Sequence, residues 1–160
     1  MKKTKEFTMK ATIGAMMRMN NQETILKALN LAIKYHKGAV DKGGNDYVFH
    51  PITVALLVDG ENEKVVALLH DIVEDTPITL PQLLEEGFTK EIVDAVDSVT
   101  RRNGEERQDY LIRVKSNEIA CKVKIADLIH NSDLSRIQCP KQKDIERVKE
   151  YKKEIEYLRN

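Results

Sequence analysis

Residues 61–76, ENEKVVALLHDIVEDT, decide the fold. Read at a period of 3.6 residues, the middle of this stretch is apolar nearly all round, which predicts a central helix. The apolar run then passes directly into His70 and Asp71, two more apolar residues, and Glu74 and Asp75. Burying carboxylates costs several kcal/mol unless they are paired or bound to a metal. Residues four apart share a helix face, so in one continuous helix His70 lies under Glu74 and Asp71 under Asp75. Taken alone, His-Asp reads as an ordinary helix end with solvated acids; the rest of the chain changes that reading.

Working outward, the pattern is helical throughout. Residues 22–37 set Ile25, Leu26, Leu29, Ala32 and Ile33 on one face. A polar loop with three glycines, KGAVDKGGNDY, leads into HPITVALLVDG, where Pro51 suits the first helical position and leaves His50 as the N-cap. Thr79 and Gly87 bracket a short helix, and Thr89 caps another that carries Ile92, Val93, Val96 and Val99 on one side. GEERQDYLIRVKSN and EIACKVKIADLIHNSDL predict two more. The β-branched run CKVKIADLI is ambiguous, and its length favours helix. A charged helix over 141–158 is expected on the outside. No alternating strand pattern is present, so the expected fold is all-α: a single-domain helical bundle over residues 21–160, preceded by a loose lead-in over residues 1–20.

Composition narrows the function. The chain has 160 residues, 41% apolar and 32% charged, which suits one globular domain and excludes disorder. With no Trp and three Phe, the core must be aliphatic. Lys+Arg and Asp+Glu number 26 each, which argues against nucleic acid as a partner while leaving room for a local basic pocket. No apolar run approaches the roughly 18–20 residues of a membrane span. The N-terminus lacks a signal-peptide core, and Cys121 and Cys139 stand apart. A reduced, cytoplasmic protein is expected. The oligomeric state is not legible.

Two further residues change the odds at His70–Asp71. His50, after a glycine-rich loop, can turn its ring into a cleft. Asp127 is an acid on an otherwise apolar stretch, flanked by Ile125, Ala126, Leu128 and Ile129. It needs either a lysine partner, Lys122 or Lys124, or a cation. Two imidazoles and two carboxylates, His50, His70, Asp71 and Asp127, suit a borderline divalent ion such as Mn²⁺, Zn²⁺ or Fe²⁺ better than Mg²⁺. Such an ion makes hydroxide available at neutral pH.

This pattern resembles the HD superfamily of metal-dependent phosphohydrolases. HKGAVDKGGNDYVFHP, ALLHDIVEDT, VDSVT and VKIADLIHN narrow the resemblance to the hydrolase domain of RelA/SpoT homologues and their stand-alone small relatives, over about residues 22–152. The resemblance implies that His50, His70, Asp71 and Asp127 are the ligands, usually of Mn²⁺. It implies that Glu74 and Asp75 position and activate water, and that Lys42, Asn131 and Tyr151 meet a small phosphorylated nucleotide. The reaction it implies removes the 3′-pyrophosphate of guanosine tetra- or pentaphosphate. Asn131 follows Asp127 by four residues and so shares its face.

The departures lie in the expected substrate shell. The family's arginine before the loop lysine is Asp41 here, and its ADRLHNMR reads ADLIHNSD, so Leu128 and Asp133 replace arginines and Ser132 replaces Met. Two alternatives therefore stay open: an HD phosphohydrolase acting on another nucleotide or phosphoester, and a non-catalytic nucleotide-binding HD module. His36 and His130 read as packing or supporting residues, and RRNGEERQ as a solvated charged loop.

Overall fold

In a computed structural model the described residues are 21–160; the lead-in expected over 1–20 lies outside them. Helical residues 21–35 form α1. There follow α2 (Phe49–Leu56), α3 (Glu61–Leu69), α4 (Ile72–Asp75), α5 (Leu80–Glu85), α6 (Lys90–Val99), α7 (Arg107–Lys115), α8 (Glu118–Asn131), a 3₁₀ turn (Leu134–Arg136) and α9 (Gln142–Arg159). Among the described residues there is no strand, only an isolated antiparallel bridge between Val40 and Asp46 that closes the loop after α1. The fold is an all-α bundle, and CKVKIADLI is helical within α8.

Helix α8 is the hub, packing against α2, α3, α6, α7 and α9. The main core is aliphatic, with Leu69, Ile72, Leu83, Ile92, Val96 and Val123 all but sealed from solvent. A second cluster gathers Tyr110, Leu111, Val114, Leu128 and Leu158. Helix α9 is therefore more than an outer charged rod. It buries Val148 and Leu158, and its Glu154 pairs with Arg107 at 2.6 Å. Thr79 makes a capping box with Gln82, Thr89 accepts from the Ile92 N–H, and Gly87 takes the left-handed turn (φ +87°) that ends α5.

Three local readings are corrected. The buried face of α1 is Ala28, Leu31 and Ala32, flanked by half-buried Ile25, Leu29 and Tyr35; Leu26 and Ile33 are exposed. A helix with apolar residues on several sides lets small alanines take the tightest contact, and a period of apolar letters carries no information on side-chain size. His50 is not a cap: Phe49 and His50 donate their N–H groups to Asp46 and Tyr47, so α2 starts at Phe49 with Val48 at the N-cap. Pro51 still falls in the first turn, where its missing N–H costs nothing. Finally, 61–76 is not one helix. It breaks at His70–Asp71, where the His70 ring Nδ1 bonds the Ala67 carbonyl at 2.7 Å. That carbonyl is the acceptor the Asp71 N–H would use in a continuing helix.

Candidate metal centre

The break turns both side chains of the His-Asp pair inward. His50 from α2, His70 from the end of α3 and Asp127 from α8 bring three donor atoms within 4.8 Å of one another, all three residues buried. His50 Nε2 stands 3.1 Å from Asp127 Oδ1 and 3.2 Å from His70 Nε2. Asp71 joins them through Oδ2, 3.0 Å from His70 Nε2 and 3.5 Å from His50 Nε2. The four residues singled out by their chemistry are thus gathered at one point from three helices and a turn.

The surroundings fit a divalent cation. Since a carbonyl only accepts, the contact to Ala67 puts the His70 proton on Nδ1 and leaves Nε2 with a lone pair aimed into the cluster. Burial by itself lowers both imidazoles, but Asp127 and Asp71 outweigh it and hold His50 and His70 above the usual histidine range. Burial raises Asp71 and Asp127; the imidazoles, together with Lys124 at Asp127, outweigh it and hold both carboxylates well below theirs. Buried Asp127 and part-exposed Asp71 flank the two imidazole Nε2 atoms, and carboxylates that favour a proton on those imidazoles would equally favour a cation between them.

The partner of Asp127 is not a choice between lysine and metal. Lys124 Nζ lies 2.7 Å from Asp127 Oδ2 while Oδ1 faces the imidazoles, so one carboxylate serves both. Asn131 also donates to Oδ1, at 2.6 Å. Tyr47 donates its hydroxyl to Asp71 Oδ2, and its ring meets His50 at 5.6 Å and His36 at 4.9 Å. His36 is buried, and its Nε2 has no hydrogen-bond partner among the described residues. The His130 ring lies nearly coplanar with that of His50, 13° from parallel with centroids 4.9 Å apart, and the two meet edge to edge through their Nδ1 atoms. Burial, then Arg136 and His50, push His130 down to about 4.

Above the cluster opens a cleft of about 480 Å³. Glu74, Asp75, Lys42, Asn131 and Tyr151 all line it. Glu74 Oε2 accepts from the Arg101 N–H at 2.9 Å. Desolvation, then the neighbouring Asp71 and Glu74 carboxylates, push Asp75 up. The cleft also receives Arg101, Arg107, Arg136 and Arg147, none of which the motifs singled out as ligand-binding. Arg101 and Arg107 come from the stretch read as a solvated loop; Arg102, by contrast, pairs outside with Asp97. Only a basic residue just past VDSVT could have hinted at Arg101.

The departures have structural reasons. Leu128 belongs to the second core cluster. Asp133 accepts from the Ser135 N–H and hydroxyl, capping the 3₁₀ turn. Asp41 Oδ2 pairs with Arg136 at 2.9 Å, and its Oδ1 accepts from the Gly43 and Asn45 N–H groups. Its charge is spent on folding the loop and holding an arginine.

An all-α bundle with a buried histidine–aspartate cluster at the base of a cleft lined by charged side chains of both signs defines a class, and the comparison with known families agrees. The HD domain model matches residues 28–149, and the chain belongs to that family. Among curated relatives, the guanosine-3′,5′-bis(diphosphate) 3′-pyrophosphohydrolase MESH1 of Danio rerio is 33% identical over 149 residues, covering 84% of this chain and 82% of that protein. The enzymes of the same activity name from Borreliella burgdorferi and Haemophilus influenzae are 29% and 34% identical, but the chain spans only 19% and 16% of their lengths. The solved structure of a metazoan orthologue of SpoT that hydrolyses ppGpp superimposes with a TM-score of 0.71 at 24% identity over 86% of each chain, a likeness of fold.

Proposed function

We propose that this protein is a metal-dependent phosphohydrolase that removes the 3′-pyrophosphate of guanosine-3′,5′-bis(diphosphate). The observation that carries the reading is the adjacency of Glu74 and Asp75 to the buried His50–His70–Asp127 cluster at the floor of one cleft that also receives lysine and arginine side chains. His50, His70, Asp71 and Asp127 would hold the cation, for which the mixed imidazole and carboxylate donors suit Mn²⁺, with Zn²⁺ or Fe²⁺ as substitutes. Such a cation acidifies water and polarises phosphoryl oxygens.

The chain's own groups supply the rest. Glu74, steadied by the Arg101 N–H, orients the attacking water together with Asp75 and takes its proton. The water oxygen bonds to phosphorus as the bond from phosphorus to the 3′-oxygen breaks, and the proton taken by Glu74 passes to the 3′-oxygen, releasing pyrophosphate and a nucleoside 5′-diphosphate with a free 3′-hydroxyl. Lys42, Arg101 and Arg147 face the phosphates, Asn131 the sugar-phosphate, and Tyr151 the wall beside them. The partner is a small phosphorylated nucleotide, and two free thiols at Cys121 and Cys139 suit a cytoplasmic setting. Among the described residues no helix is long and apolar enough to cross a membrane.

The Asp41–Arg136 pair favours a second reading, the same chemistry on another nucleotide or phosphoester, because a carboxylate stands where the family has arginine. The test is to incubate Mn²⁺-loaded protein with guanosine tetraphosphate, common nucleotides and cyclic dinucleotides and to identify products. Pyrophosphate from guanosine tetraphosphate is expected, with Glu74→Gln lowering kcat by about 10²–10⁴-fold at unchanged metal content. Cleavage of other compounds alone favours the second reading, and binding without turnover by wild type sinks both.

A further inference from the structure

For both imidazoles to offer Nε2 to a cation, each must carry its proton on Nδ1. His70 meets this requirement through the Ala67 carbonyl. His50 has no carbonyl there. Its Nδ1 lies 2.7 Å from Nδ1 of His130. Two facing ring nitrogens need one hydrogen between them, so one donates and the other accepts.

Arg136 breaks the symmetry. A guanidinium carries donors only. Arg136 Nη1 lies 3.3 Å from the same His130 Nδ1 and donates to the His130 carbonyl at 3.2 Å. His130 Nδ1 is therefore the acceptor, its single lone pair shared between a close contact from His50 and a longer one from Arg136, and the hydrogen in the imidazole pair belongs to His50. Nε2 of His50 is left bare toward Asp127, Asp71 and His70. Arg136 is itself fixed, because Nη2 donates to Asp41 Oδ2 at 2.9 Å. Asp41 is held in turn by the Gly43 and Asn45 N–H groups. A Cβ on Gly43 would run into the Arg136 carbonyl oxygen, so the loop and the 3₁₀ turn are seated directly on each other.

We propose that Arg136, anchored by Asp41 and acting through His130, is a positioning residue that fixes the tautomer of His50 and thereby presents its Nε2 to a divalent cation. The inference rests on the metal-centre reading above and extends it to three residues that touch no cation. It gives Asp41 a task unlike the phosphate or base contact that an arginine would make at that position.

Titration of the substrate-free, full-length protein with Mn²⁺ in a calorimeter tests this, with the visible spectrum of the Co²⁺-loaded protein as a second readout. His130→Phe, which keeps an aromatic ring and removes the acceptor, should weaken Mn²⁺ binding about 10–100-fold and alter the Co²⁺ spectrum. His130→Asn, whose side-chain oxygen can accept in place of Nδ1, should recover most of the loss. Arg136→Met should fall between them. Circular dichroism melts select variants that remain folded. Equal Mn²⁺ affinity for wild type and folded His130→Phe overturns the inference while leaving the metal centre standing. So does a folded His130→Asn as weak as His130→Phe, since that result reports packing and not acceptance. A wild type that binds neither ion removes the metal centre, and the inference with it.

Discussion

Asp127 illustrates how much one side chain can carry. One oxygen faces two imidazoles and an asparagine amide, the other a lysine whose side chain is only 14% exposed. Removing one partner of a buried ion pair costs about 3–5 kcal/mol, whereas replacing both with apolar groups is often close to neutral. In urea unfolding of EDTA-treated protein, Asp127→Ala should therefore be destabilising by about that amount. The pair Lys124→Met with Asp127→Leu should recover much of it. If single and double variants differ by the sum of independent effects, Lys124 and Asp127 are not coupled. The carboxylate was visible in the sequence because it interrupts an apolar stretch. That it would serve lysine and imidazoles together was not, since His50 and His70 lie more than fifty residues away in the chain.

Elements show where periodicity suffices and where it fails. Caps at Thr79 and Thr89 and the stop at Gly87 were legible because their bonds reach only three or four residues. The break at His70 was not, because a side chain took a backbone acceptor that a pattern of apolar letters does not record. The loop after α1 was legible as a loop but not as a built object, since Arg136, 95 residues away, completes it. Two predictions belong to this loop. Gly43→Ala should destabilise by about 1–3 kcal/mol, as overpacking does, measured by thermal unfolding against Gly38→Ala, where a Cβ meets nothing within 4 Å and only the left-handed backbone (φ +83°) is strained. Burial raises the Asp41 carboxyl, but the Asn45 N–H, Arg136 and the Gly43 N–H outweigh it and leave it below its ordinary value. A depressed folded pKa gives stability that is complete above the unfolded value, near 3.9, and is lost as pH falls through the folded one. Asp41→Asn should therefore cost about 1 kcal/mol at pH 7, with the gap closing below about pH 4. A gap that persists at pH 2 would assign the effect to something other than the charge.

For the whole molecule, the centre joins α2, the α3–α4 turn and α8, which are distant in sequence and shared by the main core. A cation bound there holds the bundle together and should raise its stability by mass action, by about 2.7 kcal/mol at a hundredfold excess over Kd. Chelation should lower Tm, and Mn²⁺ should restore it; a Tm indifferent to both argues against a resident ion. The bundle and the cluster at its floor were within reach of the sequence because His70 and Asp71 follow an apolar run, Asp127 interrupts one, and His50 stands where a glycine-rich loop enters a helix. The arginines that reach the cleft were not, because Arg107 and Arg147 sit in charge-rich stretches and Arg136 in an irregular one, where nothing local separates a cleft residue from the rest of the surface.

Helix α8 carries Lys124, Asp127 and Asn131 on one rigid rod, while Asp41, Lys42, Asp133 and Arg136 belong to connecting segments. The two sets can evolve at different speeds. A few changes among connector residues could alter what enters the cleft and leave the histidine–aspartate floor untouched. Asp41 and Asp133 both lie in those connectors, bonded to Arg136 and to the 3₁₀ turn and not to the histidine–aspartate cluster.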